Sequence, residues 1–444
     1  MSVAATRESQ DAAGLRKVVI GGVAGQTMEW YDYGLYGLLA AQIGATFFPS
    51  KDPTTSLLSA FAVFGIAFAI RPLGGLVLGP LGDRIGRRAV LTLSIGLITL
   101  ATTLVGVLPG QASLGVWAPL VLVCARLLQG FSAGGEVTSA ITYVAEHAPR
   151  NRRGMYTGLL QTGSALGFVL ATAIILLLQT ILKDASFNEF GWRIPFLLAL
   201  PLGGIGLYIR YRLEESPVFE ELRAKGAISR APLKEALLGW RQLLQGIGLA
   251  SLMFVGYYIF LSYMPSYMRQ LGVAPATASQ ISLFAIIVNM FSHPVMGALS
   301  DRFGRKRVLT LAALFYVVFS WPLFAAMSIG DQSIIILCMI ILAVSVAGYV
   351  GVCGALFTEF LAARTRMASF SVGYNLGGAI FGGPALYIAQ YLIAATGDSR
   401  APAFYLIFSA LVSLIALATV KLMDAGASTA ETQSPKMGSA IRTA

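Results

Sequence analysis

Runs of about 20 apolar residues recur along the whole chain, and nothing else constrains its fold as strongly. At 1.5 Å per residue, such a run as a helix spans the roughly 30 Å hydrocarbon layer of a bilayer. Water is absent there, so backbone groups must bond within their own segment, which leaves a helical bundle as the solution. Candidate spans fall at roughly 19–48, 57–79, 89–109, 117–144, 154–182, 192–210, 244–268, 278–299, 308–328, 333–359, 367–395 and 402–423. Only 12% of the residues are charged, against about 25% in soluble domains. The expected fold is an all-α membrane protein of twelve transmembrane helices.

The charge pattern orients the bundle. An even number of spans puts both termini on one side, and with that side cytoplasmic, 25 of the 32 Lys and Arg fall in inside segments. Lys51, Lys183, Arg269 and Arg400 fall outside, Arg193 at a boundary, and Arg71 and Arg126 within the bilayer. This is the positive-inside pattern, so the net charge of +11 needs no nucleic-acid partner. The N-terminal stretch MSVAATRESQDAAGLRK lacks the short apolar core and small-residue site of a removable signal, so the first span is expected to be retained. Cys124, Cys338 and Cys353 all lie in apolar spans without metal-ligand spacing and are expected to be small core residues.

An internal repeat divides the chain. GPLGDRIGRRAVLTL, from Gly79, recurs as GALSDRFGRKRVLTL, from Gly297, with ten of fifteen positions identical at an offset of 218 residues. Each copy follows the second span of its half. A weaker echo pairs Glu146 and Arg153 with Glu359 and Arg366 after the fourth span of each half. Two parallel six-helix halves follow, an architecture typical of transporters. The expected division is a cytoplasmic tail at 1–18, a first half at 19–211, a charged cytoplasmic loop at 212–243, a second half at 244–423 and a short disordered tail at 424–444.

The duplicated GxLxDRxGRR loop resembles the signature of the major facilitator superfamily. GQTMEWYDYGLYG from Gly25, RPLGG from Arg71, ARLLQGFSAGGE from Ala125, GWRIPF from Gly191 and RLEESPVF from Arg212 are similar to the metabolite:proton symporter family within it. That family includes bacterial transporters of proline and betaine, 2-oxoglutarate, citrate and shikimate. The resemblance implies a monomeric symporter in the bacterial inner membrane, carrying a small polar metabolite with protons and no other cofactor. GWRIPFLLALPLGGIGLYIR and YYIFLSYMPSYMRQ look closest to the proline and betaine branch, and TEFLAARTRMASFS looks as much like the citrate and 2-oxoglutarate members. A zwitterionic osmolyte is the first expectation, a di- or tricarboxylate the alternative, and a drug/proton antiporter a more distant one. The tail after Met423 lacks heptads, so regulation through a C-terminal coiled coil is not expected. No GxxxxGK[ST] motif supports ATP-driven transport, and no loop holds a catalytic constellation.

Charges inside the spans need partners, since one at the bilayer centre costs about 2.5–3.5 kcal/mol on insertion scales. Three acids, Glu29, Asp32 and Glu136, face Arg71 and Arg126. Glu29 and Asp32 lie near the midplane one helical turn apart, with Tyr36 one turn beyond Asp32. Two carboxylates so close in a poor dielectric resist joint ionisation. One is therefore expected to carry a proton while the other holds Arg71 or Arg126, with Glu136 and Arg126 as further proton-coupling candidates. The alternative is a set of ion pairs that only packs the first half. Candidate substrate contacts are Tyr36, Arg71, Arg126, Gln129, Tyr257, Tyr258, Asn289, His293, Tyr374 and Asn375. Deep tyrosines offer cation–π contact to an ammonium, and an arginine a bidentate grip on a carboxylate; His293 could equally be a structural, hydrogen-bonded histidine. The loop motifs are either topology-setting charges or, as the resemblance implies, a cytoplasmic clasp built from Asp83, Arg84, Arg87, Glu146 and Arg153 and from Asp301, Arg302, Arg305, Glu359 and Arg366.

Overall fold

The computed structural model describes residues 3–51 and 53–421, and the expected disordered tail at 424–444 lies outside the described residues. The long helices are α1 (Val3–Leu38), α2 (Pro53–Ile85), α3 (Arg87–Val107), α4 (Trp117–His147), α5 (Arg153–Ile181) and α6 (Ile194–Tyr211) in the first half. The second half has α7 (Trp240–Tyr258), α8 (Pro275–Phe303), α9 (Arg305–Met327), α10 (Gln332–Phe360), α11 (Arg366–Gly377) and α12 (Pro402–Thr419). Among the described residues, eleven helices are long and apolar enough to cross a membrane; α1, which carries Glu29 and Asp32, completes the twelve-helix bundle. Helix α1 starts at Val3, so much of the stretch expected as a tail at 1–18 is helical. The chain then bends at Leu39 into a short helix, Ala40–Phe47, where one unbroken span was expected.

Helices α7 and α11 each pass through one wider turn. Ile259–Tyr263 and Gly378–Gly382 are π-helical, and each is followed by a further helix, Met264–Gln270 and Ala385–Thr396. Such turns shift the helix register by one residue and often mark functional sites. The wide stretch of α11 packs against α7 just before the latter's own: a Cβ at Gly378 or Gly382 would fall within 3 Å of the Phe254 ring or its Cβ.

The halves meet along two helix pairs, α5 with α8 and α2 with α11, which the repeat makes equivalent. Helices α1, α4, α7 and α10 carry the densest burial, with long unbroken stretches such as Gly130–Val144 less one residue in α4 and Gly248–Tyr258 in α7. The outer helices α3, α6, α9 and α12 show large apolar side chains outward, as a lipid-facing surface requires. Between the halves, Pro217–Ala224 and Pro232–Leu238 form two short helices. Cys338 and Cys353 are buried, but Cys124 is exposed on the outside of α4, a correction to its expected core position.

Candidate functional site

Three ion pairs lie inside the first half. Arg71 of α2 donates to Glu29 Oε1 at 2.8 Å. Arg126 of α4 donates to Asp32 Oδ2 at 3.0 Å, while Thr102 and the Gln129 amide donate to Oδ1 at 2.8 and 2.5 Å. Gln129 in turn accepts from Arg126 at 2.8 Å, so α1, α3 and α4 share one closed polar network. Both Glu29 and Asp32 therefore hold an arginine, where the sequence suggested that only one would.

The third pair corrects the reading that three buried acids face two arginines. Glu136 is gripped by both terminal nitrogens of Arg210, one of them at 2.9 Å, and Arg210 also donates to the Leu91 carbonyl. Arg210 stands near the end of α6, at the last position of the span expected at 192–210, where it counts among the inside basic residues, yet it is 1% exposed. Gly25 makes room for it: a Cβ there would fall 1.5 Å from Arg210 Nη2. Each buried acid thus has its own base, as a low-dielectric interior demands.

Aromatic rings wrap the arginines. The Tyr36 ring lies 4.3 Å from Arg126 Cζ, and the Tyr33 ring lies within 6 Å of both Arg71 and Arg126. Tyr36, Arg71, Arg126 and Gln129 accordingly form one cluster with the two α1 acids. Beside it, between the halves, is a nearly closed cavity of about 20 Å³, the size of one water. Gln26 and Trp30 of α1, Gln161 and Ser164 of α5, Met253, Phe254 and Tyr257 of α7, Val350 of α10 and Tyr374 of α11 line it. Gln26 donates to Gln161 at 2.9 Å, and Tyr257 to Ser164 at 2.6 Å. The rings of Trp30 and Tyr257 meet edge to face at 5.1 Å, and those of Phe254 and Tyr374 at 4.7 Å. Trp30 Nε1 and Gln26 Oε1 are buried with no partner, a donor and an acceptor available to a ligand.

Tyr257 and Tyr374 therefore reach the cavity, and four other candidates do not. Tyr258 packs against Phe68 and Phe254. Asn375 ties α11 to α4 by donating to the Gly134 carbonyl at 2.6 Å. Asn289 donates to the Ala343 carbonyl at 2.7 Å, between α8 and α10. His293, one turn on, is fully buried and neither ring nitrogen makes a well-formed hydrogen bond, against the expectation of a hydrogen-bonded structural histidine. Trp30, Gln26, Gln161, Ser164 and Phe254 carried no sequence signal, since neutral residues in a span look like packing.

The loop motifs join the halves at one end of the bundle. Asp83 accepts from the Met367 and Ala368 amides at the start of α11, at 3.4 and 2.9 Å. Asp301 accepts from the Gly154 and Met155 amides at the start of α5, at 3.0 and 2.8 Å. Both placements use the positive end of a helix. Arg87 pairs with Asp83 and Glu146, each at 3.3 Å, and Arg305 pairs with Asp301 and Glu359 at 2.6 and 3.2 Å. Gly86 and Gly304 turn the chain between helices at φ of 106° and 94°, a region glycine enters without strain. Arg366 reaches across to Glu146 at 2.8 Å; among the described residues Arg153 makes no matching pair with Glu359. Arg84 donates to the Arg230 carbonyl and Arg302 is exposed beside Phe303, so neither joins the halves.

The sequence profile of the Major Facilitator Superfamily matches residues 23–383. The proline/betaine transporter of Escherichia coli K12 is 37% identical over 422 residues, covering 93% of this chain and 84% of that protein. The glycine betaine/proline/ectoine/pipecolic acid transporter OusA of Dickeya dadantii is 35% identical over 418 residues, with coverages of 91% and 83%. Among solved structures, the proton:xylose symporter XylE bound to 6-bromo-6-deoxy-D-glucose superposes with a TM-score of 0.76 at 17% identity, covering 92% of this chain and 95% of that one. That likeness is one of fold.

Proposed function

The chain belongs to the Major Facilitator Superfamily, in the family of the proline/betaine transporters it matches, and from that premise we propose that it is a proton-coupled symporter of a small zwitterionic osmolyte. It is a multi-pass membrane transporter; the inner membrane of a bacterium, cytoplasmic termini, a monomeric state and inward transport by alternating access complete the proposal. The observation that carries the substrate class is the cavity's lining. Four aromatic rings and two amides surround it, without a charged side chain. Rings attract a quaternary or secondary ammonium, and desolvation strengthens that attraction to about 2 kcal/mol or more. A di- or tricarboxylate would need more than one arginine, and Arg126 and Arg210 are held by Asp32 and Glu136.

The protons are the coupling ion, with one α1 acid and its arginine as the machinery. Glu136 is left a structural role, since both its oxygens are held by Arg210. The clasp residues at the cytoplasmic end hold the path shut toward the cytoplasm until the halves rock. A thermal-shift panel on purified protein tests the substrate class, because a ligand at 100 times its Kd stabilises the folded state by about 2.7 kcal/mol. Betaine or proline should raise Tm, while 2-oxoglutarate, citrate and shikimate should leave it in place. A shift with the carboxylates alone would overturn the proposal.

A further inference from the structure

The two acids of α1 differ in how fully they are satisfied. Asp32 has donors on both oxygens: Thr102 and Gln129 on one, Arg126 on the other. Those bonds hold the charged form, because a proton would have to displace one of them. Glu29 has a single bond, from Arg71 to Oε1, and its Oε2 is buried with no partner among the described residues. An anionic oxygen left bare in a dry interior is the natural seat of a proton.

The surroundings point the same way. The charged groups facing Glu29 are Arg71 from α2, Glu136 from α4, Arg210 from α6 and Asp32 on its own helix, with Tyr33, Tyr257, Tyr258 and Tyr374 as the nearby titratable hydroxyls. Two of those charges are negative, and the nearer positive, Arg71, is held by no other acid among the described residues. Arg71 also faces Tyr374, which lines the cavity, and Glu29 is the chain neighbour of Trp30, which lines it too.

We propose that Glu29 is the proton carrier and that Arg71 is handed from Glu29 to the carboxylate of the incoming substrate, while Asp32 stays ionised as a tether between α1, α3 and α4. The inference rests on the proton-coupled reading of the site. The substrate's carboxylate takes the Arg71 guanidinium, and Glu29, stripped of its counter-ion, takes one proton from the outer side. Charge balances: an arginine–carboxylate pair and a neutral acid replace an arginine–carboxylate pair, the substrate's free carboxylate and a separate proton. On the cytoplasmic side Glu29 loses the proton, reclaims Arg71 and releases the substrate. Asp32, Arg126, Thr102 and Gln129 take no part in the exchange.

Two measurements on the purified full chain test it. In infrared titration, the protonated-carboxyl band should vanish in Glu29→Gln, return in Glu29→Asp and persist in Asp32→Asn. A band lost in Asp32→Asn and kept in Glu29→Gln overturns the assignment, and needs no substrate. In weakly buffered solution, betaine binding to the wild type should draw about one proton per site. Glu29→Gln should bind betaine more tightly, independently of pH and without proton uptake; proton uptake equal to wild type would overturn the exchange. Absence of betaine and proline binding by the wild type would sink the substrate reading, leaving the infrared result to decide the carrier.

Discussion

The two copies of the loop motif share sequence, turn and core contacts, yet the rest of the chain treats them differently. In the first, Glu215 accepts from the Arg87 and Arg88 amides at the start of α3, Ser216 donates to Glu146, and the Phe219 ring lies 5.1 Å from Arg87 Cζ. The second has no such cover among the described residues, and the Glu359 side chain is 21% exposed where that of Glu146 is 1%. Duplication provides a symmetric pair of locks, and the central segment, which exists once, can brace only one of them. The first clasp is thus a buried network and the second a shallower one.

Breaking the buried network should cost most. Glu146→Gln removes the shared partner of Arg87 and Arg366, leaving Arg87 only Asp83 and Arg366 no acid among the described residues, and breaking a buried pair typically costs about 3–5 kcal/mol. Glu359→Gln should cost less than half as much, because the Glu359 side chain is partly exposed and Arg305 keeps Asp301. Thermal unfolding in detergent and cytoplasmic labelling of cysteines placed in α5 and α11 would compare them. Equal losses would mean that the central segment does not distinguish the clasps.

Next come the aspartates. Asp83→Asn and Asp301→Asn each weaken contacts to two helix-starting amides, at about 1–3 kcal/mol apiece. Both should speed opening toward the cytoplasm, seen as altered transport rates at matched surface expression; unchanged rates in both would remove the clasp from the account. Glu215→Ala should remove the brace alone, costing about 0.5–2 kcal/mol as the loss of a helix cap does, and bring the first clasp's labelling rate toward that of the second. Smallest should be Arg302→Ala, within about 0.5 kcal/mol, since the side chain is exposed and joins nothing across the halves.

The sequence made the bundle, the repeat and the intramembrane acids readable, because hydrophobic length and buried charge leave few alternatives. Arg210 escaped because it sits where a span ends, and position alone could not tell a snorkelling arginine from one that turns inward to Glu136. The empty place beside Gly25 exists only once α1, α4 and α6 are packed together. The cavity was half legible: Tyr257 and Tyr374 stood out as deep tyrosines, whereas Gln26, Gln161 and Ser164 are ordinary span residues until α1 and α5 bring them together. Asn289 and Asn375 looked like ligand groups because buried amides need partners, and backbone carbonyls of neighbouring helices supply them. The wider turns in α7 and α11 left no mark in the hydrophobic pattern, since one extra residue per turn barely alters it.

The coupled transport of a zwitterion is the centre of the account, and uptake into proteoliposomes tests it most directly. With the outside made acid, labelled betaine or proline should accumulate above its external concentration, and a protonophore should collapse the accumulation. Uptake that only equilibrates and ignores the pH gradient, or efflux driven by it, would contradict the account.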